Sequence, residues 1–382
     1  MDKQQEDIER LFQQLFTSGK GNEYLDITNS VGQRYLVPVN SPRAGLSLYR
    51  PCRTMGKMMK QLVPLLRCFP FLLARMGVRR RMLDTSSAFQ QRLTKTFGHT
   101  NLVLAVFCGT PGPHRKITVQ VSVGNETLGY AKISNRPAVH ELFTQENDLL
   151  NYLRQQGIYN IPQALFCGNV SPDVRIFMQD TLPRERPVYG YNEPLIWEFL
   201  TELRDKTAVD IPFVESGFYL DLQRLKAEIS LNLGKKQVLL ESVIREVTDF
   251  FQEHTTRFSV YHGDFTCWNM FVHKGQLYVF DWEYSRQAYP PFLDYFHFFT
   301  QYAFYQKQWN TAKTIRKFNA MQANLKQHIS DPVLYYKAYL LTAIGFYTDR
   351  DQGDQGNDCR FRISLLETLA RSNKNNDGRK KQ

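Results

Sequence analysis

The side chains best suited to chemistry are two carboxylates and an amide that lie close together in the sequence. Asn269 follows Asp264 by five positions, and Asp281 follows it by seventeen, at the end of an apolar strand pattern. Phosphoryl transfer depends on positioned charge: one carboxylate accepts a hydrogen bond from the acceptor hydroxyl, while an amide oxygen and a second carboxylate hold magnesium. This spacing supplies all three groups and predicts a phosphoryl-transfer site.

Other interpretations of these residues stay open. Asp and Asn both favour turns, so Asp264 and Asn269 are also compatible with an ordinary turn pair. That alternative is weaker for Asp281, because an acid there would otherwise end a buried apolar run. Glu283 is either a further carboxylate beside the metal or an exposed acid.

A second pair of charged residues lies upstream and fits the same chemistry. Nucleotide phosphates need a lysine, and that lysine needs a helical glutamate. Lys132 ends a predicted strand, and Glu146 interrupts the apolar face of a helix predicted over 139–155, where an unpaired carboxylate would be costly. We therefore predict a Lys132–Glu146 ion pair. The alternatives are an ordinary outward-facing lysine, and Glu141 as its partner.

The residues His262, Gly263, Asp264, Asn269 and Asp281 fit the form H-G-D-x-x-x-x-N followed by a hydrophobic strand that ends in D. In this respect the sequence resembles the aminoglycoside phosphotransferase and choline kinase superfamily, whose fold is protein-kinase-like. The resemblance implies ATP as the phosphate donor and Mg²⁺ as cofactor. It also implies Asp264 as catalytic base, Asn269 and Asp281 as magnesium ligands, and His262 as a scaffold residue.

The same resemblance implies a loop that covers the phosphates. The turn Cys108–Arg115 lies in the expected place, between the first two strands of the predicted meander. Gly109 and Gly112 would permit close approach to the nucleotide. Pro111 and Pro113, however, remove backbone donors, so a plain hairpin loop stays open as the alternative.

Further nucleotide-binding and supporting residues are implied by the resemblance. The segment Met178–Leu182 would form the hinge that meets the adenine, which makes Gln179 and Thr181 nucleotide-binding residues. Asp294, which follows the metal-binding aspartate, would brace the catalytic loop as a structural residue.

The elements that must position these groups predict an α+β fold. Short strands in a meander, followed by one helix and then a long helical stretch, indicate a two-lobed protein-kinase-like architecture. We predict four parts: a basic N-terminal extension over 1–99, a small antiparallel sheet lobe over 100–182, a larger mainly helical lobe with the catalytic loop over 183–371, and a disordered tail over 372–382.

Composition bounds the class of protein. The chain has 382 residues, of which 42% are hydrophobic and 22% charged, so wholesale disorder is excluded. Its six cysteines form no C-x-x-C pair, which argues against a zinc ribbon or a disulfide-stapled secreted module. The N-terminus is polar and no apolar run is long enough to cross a bilayer. We expect a cytoplasmic protein.

The net charge of +11 is concentrated in one segment. Residues 43–95 contain twelve basic residues and one acid, Asp84. The net charge of this segment therefore equals that of the whole chain. Apolar residues between Met55 and Met76 recur at spacings of three and four, typical of an amphipathic helix. The segment therefore predicts peripheral contact of the protein with the anionic inner face of a membrane. The alternative is an apolar stripe that packs on the main domain.

The partner and the function follow from these features. We expect the acceptor to be a small molecule or a glycan. A membrane-associated, lipid-linked sugar is one candidate. A choline or ethanolamine kinase and a nucleotide-binding pseudokinase scaffold are the alternatives. Arg79-Arg-Arg81 could contact nucleic acid, but no nucleic-acid module accompanies it, so no such partner is expected.

Overall fold

A computed structural model describes residues 3–29, 32–41, 45–46, 48, 58, 60–62, 69–75, 77–232, 236–254, 257–350 and 356–380. The chain divides into two compact units, one of Met1–Arg154 with Ile161–Arg184 and the other of Gln155–Asn160 with Glu185–Gln382. Most of the amphipathic stripe predicted between residues 55 and 76 lies outside the described residues. No helix within the described ranges is long and apolar enough to cross a membrane.

The first unit contains an eight-stranded antiparallel sheet in the order β3-β1-β2-β4-β5-β6-β8-β7. In chain order its strands are β1 Phe16–Thr28, β2 Arg34–Pro38, β3 Arg79–Thr85, β4 Val103–Phe107, β5 Ile117–Val123, β6 Glu126–Ser134, β7 Ala164–Ser171 and β8 Val174–Asp180. Its helices are α1 Lys3–Leu15, α2 Pro70–Arg75, α3 Ser87–Phe97 and α4 Pro137–Gln155.

The main core of this unit includes residues from both ends of its sequence. Leu11 and Phe12 from α1, and Leu93 from α3, join buried strand residues such as Val106 and Ile176 in one apolar cluster. The sheet therefore already begins at β1, whereas the sequence analysis assigned residues 1–99 to an extension before the sheet lobe. The reason is long-range pairing of β2 with β4, which no local pattern reveals.

The second unit is mainly helical. Its helices are α5 Pro194–Thr207, α6 Gly217–Asn232, α7 Gln237–His254, α8 Leu293–Gln301, α9 Thr311–Leu325, α10 Pro332–Arg350 and α11 Asn357–Lys380, with a 3₁₀ turn at Phe213–Glu215 and a π-helical turn at Tyr302–Gln306. Two small sheets, in the orders β10-β11-β14 and β13-β12-β9, contain β9 Arg186–Pro187, β10 Val209–Asp210, β11 Arg257–Tyr261, β12 Met270–His273, β13 Gln276–Val279 and β14 Arg286–Tyr289.

The predicted α+β class, with an antiparallel sheet part and a mainly helical part, is confirmed. The sequence predicts a disordered tail over 372–382, whereas α11 is described as far as Lys380. Residues 372–380 contain no proline. Extending a helix that already exists costs far less than starting one, so a polar segment with no apolar face can still continue it.

Candidate active site

The loop between β11 and β12 is held at its start by a buried carboxylate on α8. Asp294 accepts hydrogen bonds from the backbone N–H of His262 to Oδ2 at 2.8 Å and from that of Gly263 to Oδ1 at 3.2 Å. Burial raises the pKa of Asp294 to about 7, although these two hydrogen bonds act in the opposite direction. Asp294 thus makes the bracing contacts predicted for it.

His262 connects this loop to the end of β13. The backbone N–H of Asp264 donates to its Nδ1 at 3.1 Å, and its Nε2 lies 3.1 Å from the carbonyl oxygen of Phe280. A nitrogen that accepts must be unprotonated, so the ring proton is assigned to Nε2, which donates to Phe280. The ring is fully buried and packs against Trp282. These are scaffold contacts, as predicted.

Gly263 is required by the backbone at this point. Its φ is 83°, and a Cβ at this position would lie 2.3 Å from the carbonyl oxygen of Tyr284. Only glycine adopts the left-handed conformation here and also leaves room for that carbonyl. The glycine therefore fixes the path of the chain into Asp264.

Hydrogen bonds reach both carboxylate oxygens of Asp264. The Asn269 amide donates from Nδ2 to Oδ2 at 2.8 Å and to the Asp264 carbonyl at 3.0 Å, while Nε2 of His297 lies 3.3 Å from Oδ1. The Asp264 side chain keeps 27% of its surface exposed. Burial, followed by the charge of Asp281, raises the pKa of Asp264 to about 8. The carboxylate is thus fixed in orientation but still accessible.

The β12–β13 hairpin places the two predicted magnesium ligands, Asn269 and Asp281, at the same end of the hairpin. Met270 pairs with Val279, and the N–H of Phe280 donates to the carbonyl of Asn269 at 3.0 Å. Since Nδ2 of Asn269 is used by Asp264, its Oδ1 is the amide atom suited to a cation. Carboxylate oxygens of Asp281 and Glu283 lie within 4.8 Å of each other. Such hard oxygen donors fit Mg²⁺.

In the first unit, the predicted ion pair is confirmed. Lys132 Nζ lies 2.8 and 2.6 Å from the two carboxylate oxygens of Glu146. Lys132 is 5% exposed and Glu146 is fully buried, whereas the alternative Glu141 is exposed. Lys132 lies on β6 opposite Phe177 of β8, and Glu146 lies on the buried face of α4.

The glycines of the predicted phosphate loop have different roles in the backbone. Gly109 has a φ of 71°, and a Cβ there would lie 2.4 Å from the Lys116 carbonyl oxygen, so the turn itself requires glycine. Nothing would meet a Cβ at Gly112. The Arg136 guanidinium donates to the carbonyls of Gly112 and Pro113, both at 3.1 Å. These contacts brace the hairpin loop.

The predicted hinge residues lie at the end of β8. Gln179 is 3% exposed, and its Oε1 has no hydrogen-bond partner among the described residues. Asp180 accepts a hydrogen bond from the backbone N–H of Gln163 at 2.6 Å, which fixes the strand end. Thr181 is partly exposed, and its hydroxyl lies 3.5 Å from the Leu182 carbonyl.

The sequence analysis missed His297, which lies one helical turn after Asp294 on α8. Its side chain is 3% exposed. Burial, followed by the charge of Arg362, lowers the pKa of His297 well below its usual value. The available signal was its i+3 spacing from an aspartate already assigned to the catalytic loop, since residues three apart share a helix face.

Two cavities in the second unit, which share several lining residues, also escaped the sequence analysis. The larger, of about 300 Å³, lies among α6, α10 and β14, and the smaller is lined by Gly263 and His297. Asp221, Arg286 and further residues line both. The helices that form these cavities lie too far apart along the chain for local sequence patterns to predict that they pack together.

Solved structures with similar folds are distant in sequence. A thermostable mutant of aminoglycoside phosphotransferase APH(4)-Ia, apo form, is 13% identical over 74% of this chain and 99% of that one, with a TM-score of 0.49. A putative fructosamine-3-kinase from Haemophilus somnus 129PT is 14% identical over 73% and 96%, with a TM-score of 0.46. Amicoumacin kinase hAmiN, in complex with AMP-PNP, Ca²⁺ and Ami, is 13% identical over 73% and 93%, with a TM-score of 0.46.

No curated protein matches the sequence significantly. A family signature does match, and its description is "Phosphotransferase enzyme family". The match covers residues 118–313, more than half of the chain, and includes Lys132, Asp264, Asn269 and Asp281. It confirms the enzyme class expected from the spacing of these residues: the chain belongs to the phosphotransferase enzyme family.

Proposed function

We propose that this protein transfers the γ-phosphoryl group of ATP to a hydroxyl of a small molecule or glycan, with Mg²⁺ as cofactor. The observation that carries the proposal is the Asp264 carboxylate, which is held by Asn269 on one oxygen and still partly exposed. A fixed, accessible carboxylate is what an acceptor hydroxyl needs. Family membership supports the same reaction class.

Each predicted residue has a proposed role in this reaction. The acceptor oxygen bonds to the γ-phosphorus, the bond to the β-phosphate oxygen breaks, ADP leaves, and the hydroxyl proton passes to Asp264. Asn269 and Asp281 would hold the magnesium ion, which would offset the charge of the phosphate oxygens. Lys132, oriented by Glu146, binds the α- and β-phosphates.

The remaining predicted residues would contact the nucleotide through the loop and the hinge. Gly109 and Gly112 allow the loop to lie close to the phosphates, since neither carries a side chain. The backbone around Gln179 and Thr181 binds the adenine edge. Within the described residues the buried side-chain Oε1 of Gln179 has no donor, and a ligand bound beside this strand end could supply one.

The acceptor is proposed to bind in the two cavities of the second unit. The smaller cavity includes Gly263 and His297, which adjoin Asp264 in sequence or in space. The larger has a volume of about 300 Å³, within the usual range for small-molecule sites. Asp221 and Arg286 line both cavities and are suited to a polar, hydroxyl-bearing acceptor.

The substitution Asp264→Asn tests the proposal. We expect Mg²⁺-dependent ATP turnover, measured with a panel of hydroxyl acceptors, to fall at least about 100-fold, because an amide cannot accept the proton. Asp205→Asn, an exposed acid paired with Arg204, is the matched control and should leave turnover unchanged. Equal turnover in wild type and Asp264→Asn would contradict the role of Asp264.

We also propose peripheral contact of the 43–95 segment with an anionic membrane, which would favour an acceptor sugar carried on a lipid. On α2, Leu73 is buried in a small core with Leu25, while Phe71 is 77% exposed and Leu72 is 44% exposed. Exposed apolar side chains beside Arg75 are typical of membrane-surface helices. One side of α2 packs in this core, and the exposed side would bind lipid.

Vesicle binding tests this second proposal. The double substitution Phe71→Ser/Leu72→Ser should weaken sedimentation with phosphatidylserine-rich vesicles, because burial of apolar area and attraction of basic residues act together. Tyr159→Ser, at another exposed aromatic residue, is the control. Deleting the whole segment would be uninformative, since it contains β3 and α3. Unchanged sedimentation of the double variant would exclude the contact.

A further inference from the structure

The Asp264 carboxylate has a second partner that the reaction proposed above does not use. Asn269 donates to Oδ2, and His297 Nε2 lies 3.3 Å from Oδ1. Hydrogen bonds to both oxygens fix the rotation of a carboxylate, whereas one alone leaves it free to turn. Without His297, Asn269 would have to hold the catalytic oxygen in place unaided.

His297 is itself held by three helices of the second unit. Its own helix, α8, supplies the Gln301 amide, whose terminal atom lies 3.3 Å from His297 Nε2 and 3.1 Å from the Tyr347 hydroxyl of α10. We assign the amide oxygen to this place, since an amide nitrogen would face the Nε2–H donor and would leave the buried oxygen without a partner among the described residues. The Tyr339 ring packs edge-on against the imidazole, at 5.6 Å between centroids. Arg362 of α11 donates to the Tyr339 hydroxyl at 3.1 Å. The imidazole is therefore rigidly placed.

The charge state of His297 follows from its surroundings. Burial and the nearby Arg362 guanidinium keep the ring neutral at pH 7, so it carries one N–H. Nδ1 has no hydrogen-bond partner in the described part of the chain, whereas Nε2 faces a carboxylate oxygen. With the Gln301 amide oxygen also facing Nε2, the proton belongs on Nε2. A neutral donor orients Asp264 without placing a positive charge beside the base.

We propose that His297 is a positioning residue for phosphoryl transfer: its Nε2–H hydrogen bond fixes the Asp264 carboxylate in the orientation that receives the acceptor hydroxyl. This inference rests on the proposed function of Asp264. An apolar side chain would fill the same volume on α8 without the cost of burying a polar ring, and five of the other eight residues of α8 are aromatic or aliphatic. The geometry at Oδ1 accounts for a histidine at this position.

Two substitutions separate positioning from packing. His297→Leu removes the donor and keeps most of the volume, and we expect kcat to fall roughly 10- to 100-fold while KM for ATP stays within about twofold. His297→Gln places an amide N–H near the former Nε2, so kcat should recover to within about fivefold of wild type. An unchanged kcat in His297→Leu, or an equal loss in both variants, would overturn the proposal.

A double-variant cycle shows whether His297 acts through Asp264. In the Asp264→Asn background, His297→Leu should lower the residual kcat by less than about twofold, because the group it orients is already lost. Losses that multiply instead would mean that His297 acts by another route, and would also overturn the proposal.

A measurement without turnover distinguishes this inference from the proposed function. In ¹⁵N-histidine-labelled full-length protein, the His297 signal is the one absent from His297→Gln. It should report the neutral Nε2–H form in wild type and should shift in Asp264→Asn. An Nδ1–H form, or a signal that Asp264→Asn leaves unchanged, would overturn the contact even in an active enzyme. If no acceptor supports turnover but the signal behaves as expected, the proposed function fails and the contact stands.

Discussion

Lys132 and Glu146 are both buried, and their mutual attraction offsets the free-energy cost of removing the two charges from water. The same holds in another form for Asp294, whose two oxygens accept backbone hydrogen bonds in a buried setting. At the scale of single residues, the burial of these ionisable groups is tolerated because each has a specific partner. Removing one partner therefore changes stability as well as activity.

We predict that Lys132→Met lowers the free energy of unfolding by about 3–5 kcal/mol, because it leaves the Glu146 carboxylate buried and uncompensated. The double variant Lys132→Met/Glu146→Leu should regain most of that loss. Urea denaturation followed by circular dichroism measures both. Arg80→Met, which breaks a half-exposed pair with Glu23 in the same unit, should cost less than about 1 kcal/mol. Equal losses at Lys132 and Arg80 would contradict the prediction.

The raised pKa of Asp294 predicts how stability depends on pH. Its pKa is about 7 in the folded protein against an ordinary value of 3.8, so the folded state keeps a proton that the unfolded chain releases. The free energy of unfolding should therefore fall as pH rises between about 4 and 7. In Asp294→Asn this group no longer titrates, so the fall should be shallower. Identical slopes in urea titrations from pH 4.5 to 7.5 would refute this.

Local residue types allowed these partners to be predicted only in part. Glu146 was recognisable because a carboxylate interrupts an apolar helix face, and Asp264 because its spacing to Asn269 is chemically specific. His297 gave no such signal, since it lies in an aromatic-rich helix and contacts a residue thirty-three positions earlier. A contact over that distance depends on how α8 packs, which residue order does not reveal.

At the scale of elements, a short loop and a hairpin carry the candidate catalytic groups, and glycines shape both. Gly263 and Gly275 have similar positive φ values, 83° and 74°, but only Gly263 has a neighbour where a side chain would be. Substitutions at these two glycines therefore distinguish the free-energy cost of an unfavourable backbone conformation from that of a steric clash. That contrast makes a matched test of the loop.

We predict that Gly263→Ala lowers turnover at least about 100-fold, because relief of the clash with the Tyr284 carbonyl displaces the neighbouring Asp264 by a sizeable fraction of an ångström. Gly275→Ala should cost about 1 kcal/mol of stability and keep nearly full turnover. Steady-state kinetics and thermal unfolding of both variants provide the comparison. Comparable turnover in the two variants would contradict this account of the loop.

Among the elements, the β4–β5–β6 meander and α4 were predicted well, since each has clear apolar periodicity. The N-terminal strands were not recognised as part of the same sheet. β1 reads FTSGKGNEYLDIT, which is polar over much of its length, and its pairing with β3 shifts register between Ser18 and Asn22. An irregular, polar strand is stabilised by its partners and not by its own pattern.

At the scale of the whole molecule, several of the described residues before position 100 belong to the apolar core of the first unit. α1 and α3 place Phe12 and Phe89 in the cluster that also buries Val106. Without them, β4 would become an edge strand whose buried side chains face water. The first unit therefore depends on its N-terminal residues.

A chain that starts at residue 100 should fail to form the first unit, although residues 118–313 contain the family match. We expect rapid proteolysis within β4–β6 and loss of ATP binding. The point variant Phe12→Ala should lower the free energy of unfolding by about 3–5 kcal/mol through the cavity that it leaves. A chain that ends at Arg371 is the control and should stay intact. Protease resistance of the shortened chain equal to that of the full chain would contradict the prediction.

The arrangement of the eight-stranded sheet also governs how fast it can assemble. Leu25 pairs with Arg80 and Leu36 with Val106, so each contact closes a loop of more than fifty residues before any stabilisation is gained. Chains dominated by such distant pairings fold in milliseconds to seconds, against microseconds for local helical contacts. During synthesis on the ribosome, β1 and β2 can pair with each other, but the outer edge of each stays unpaired until β3 and β4 emerge, and chaperones have that interval in which to bind them.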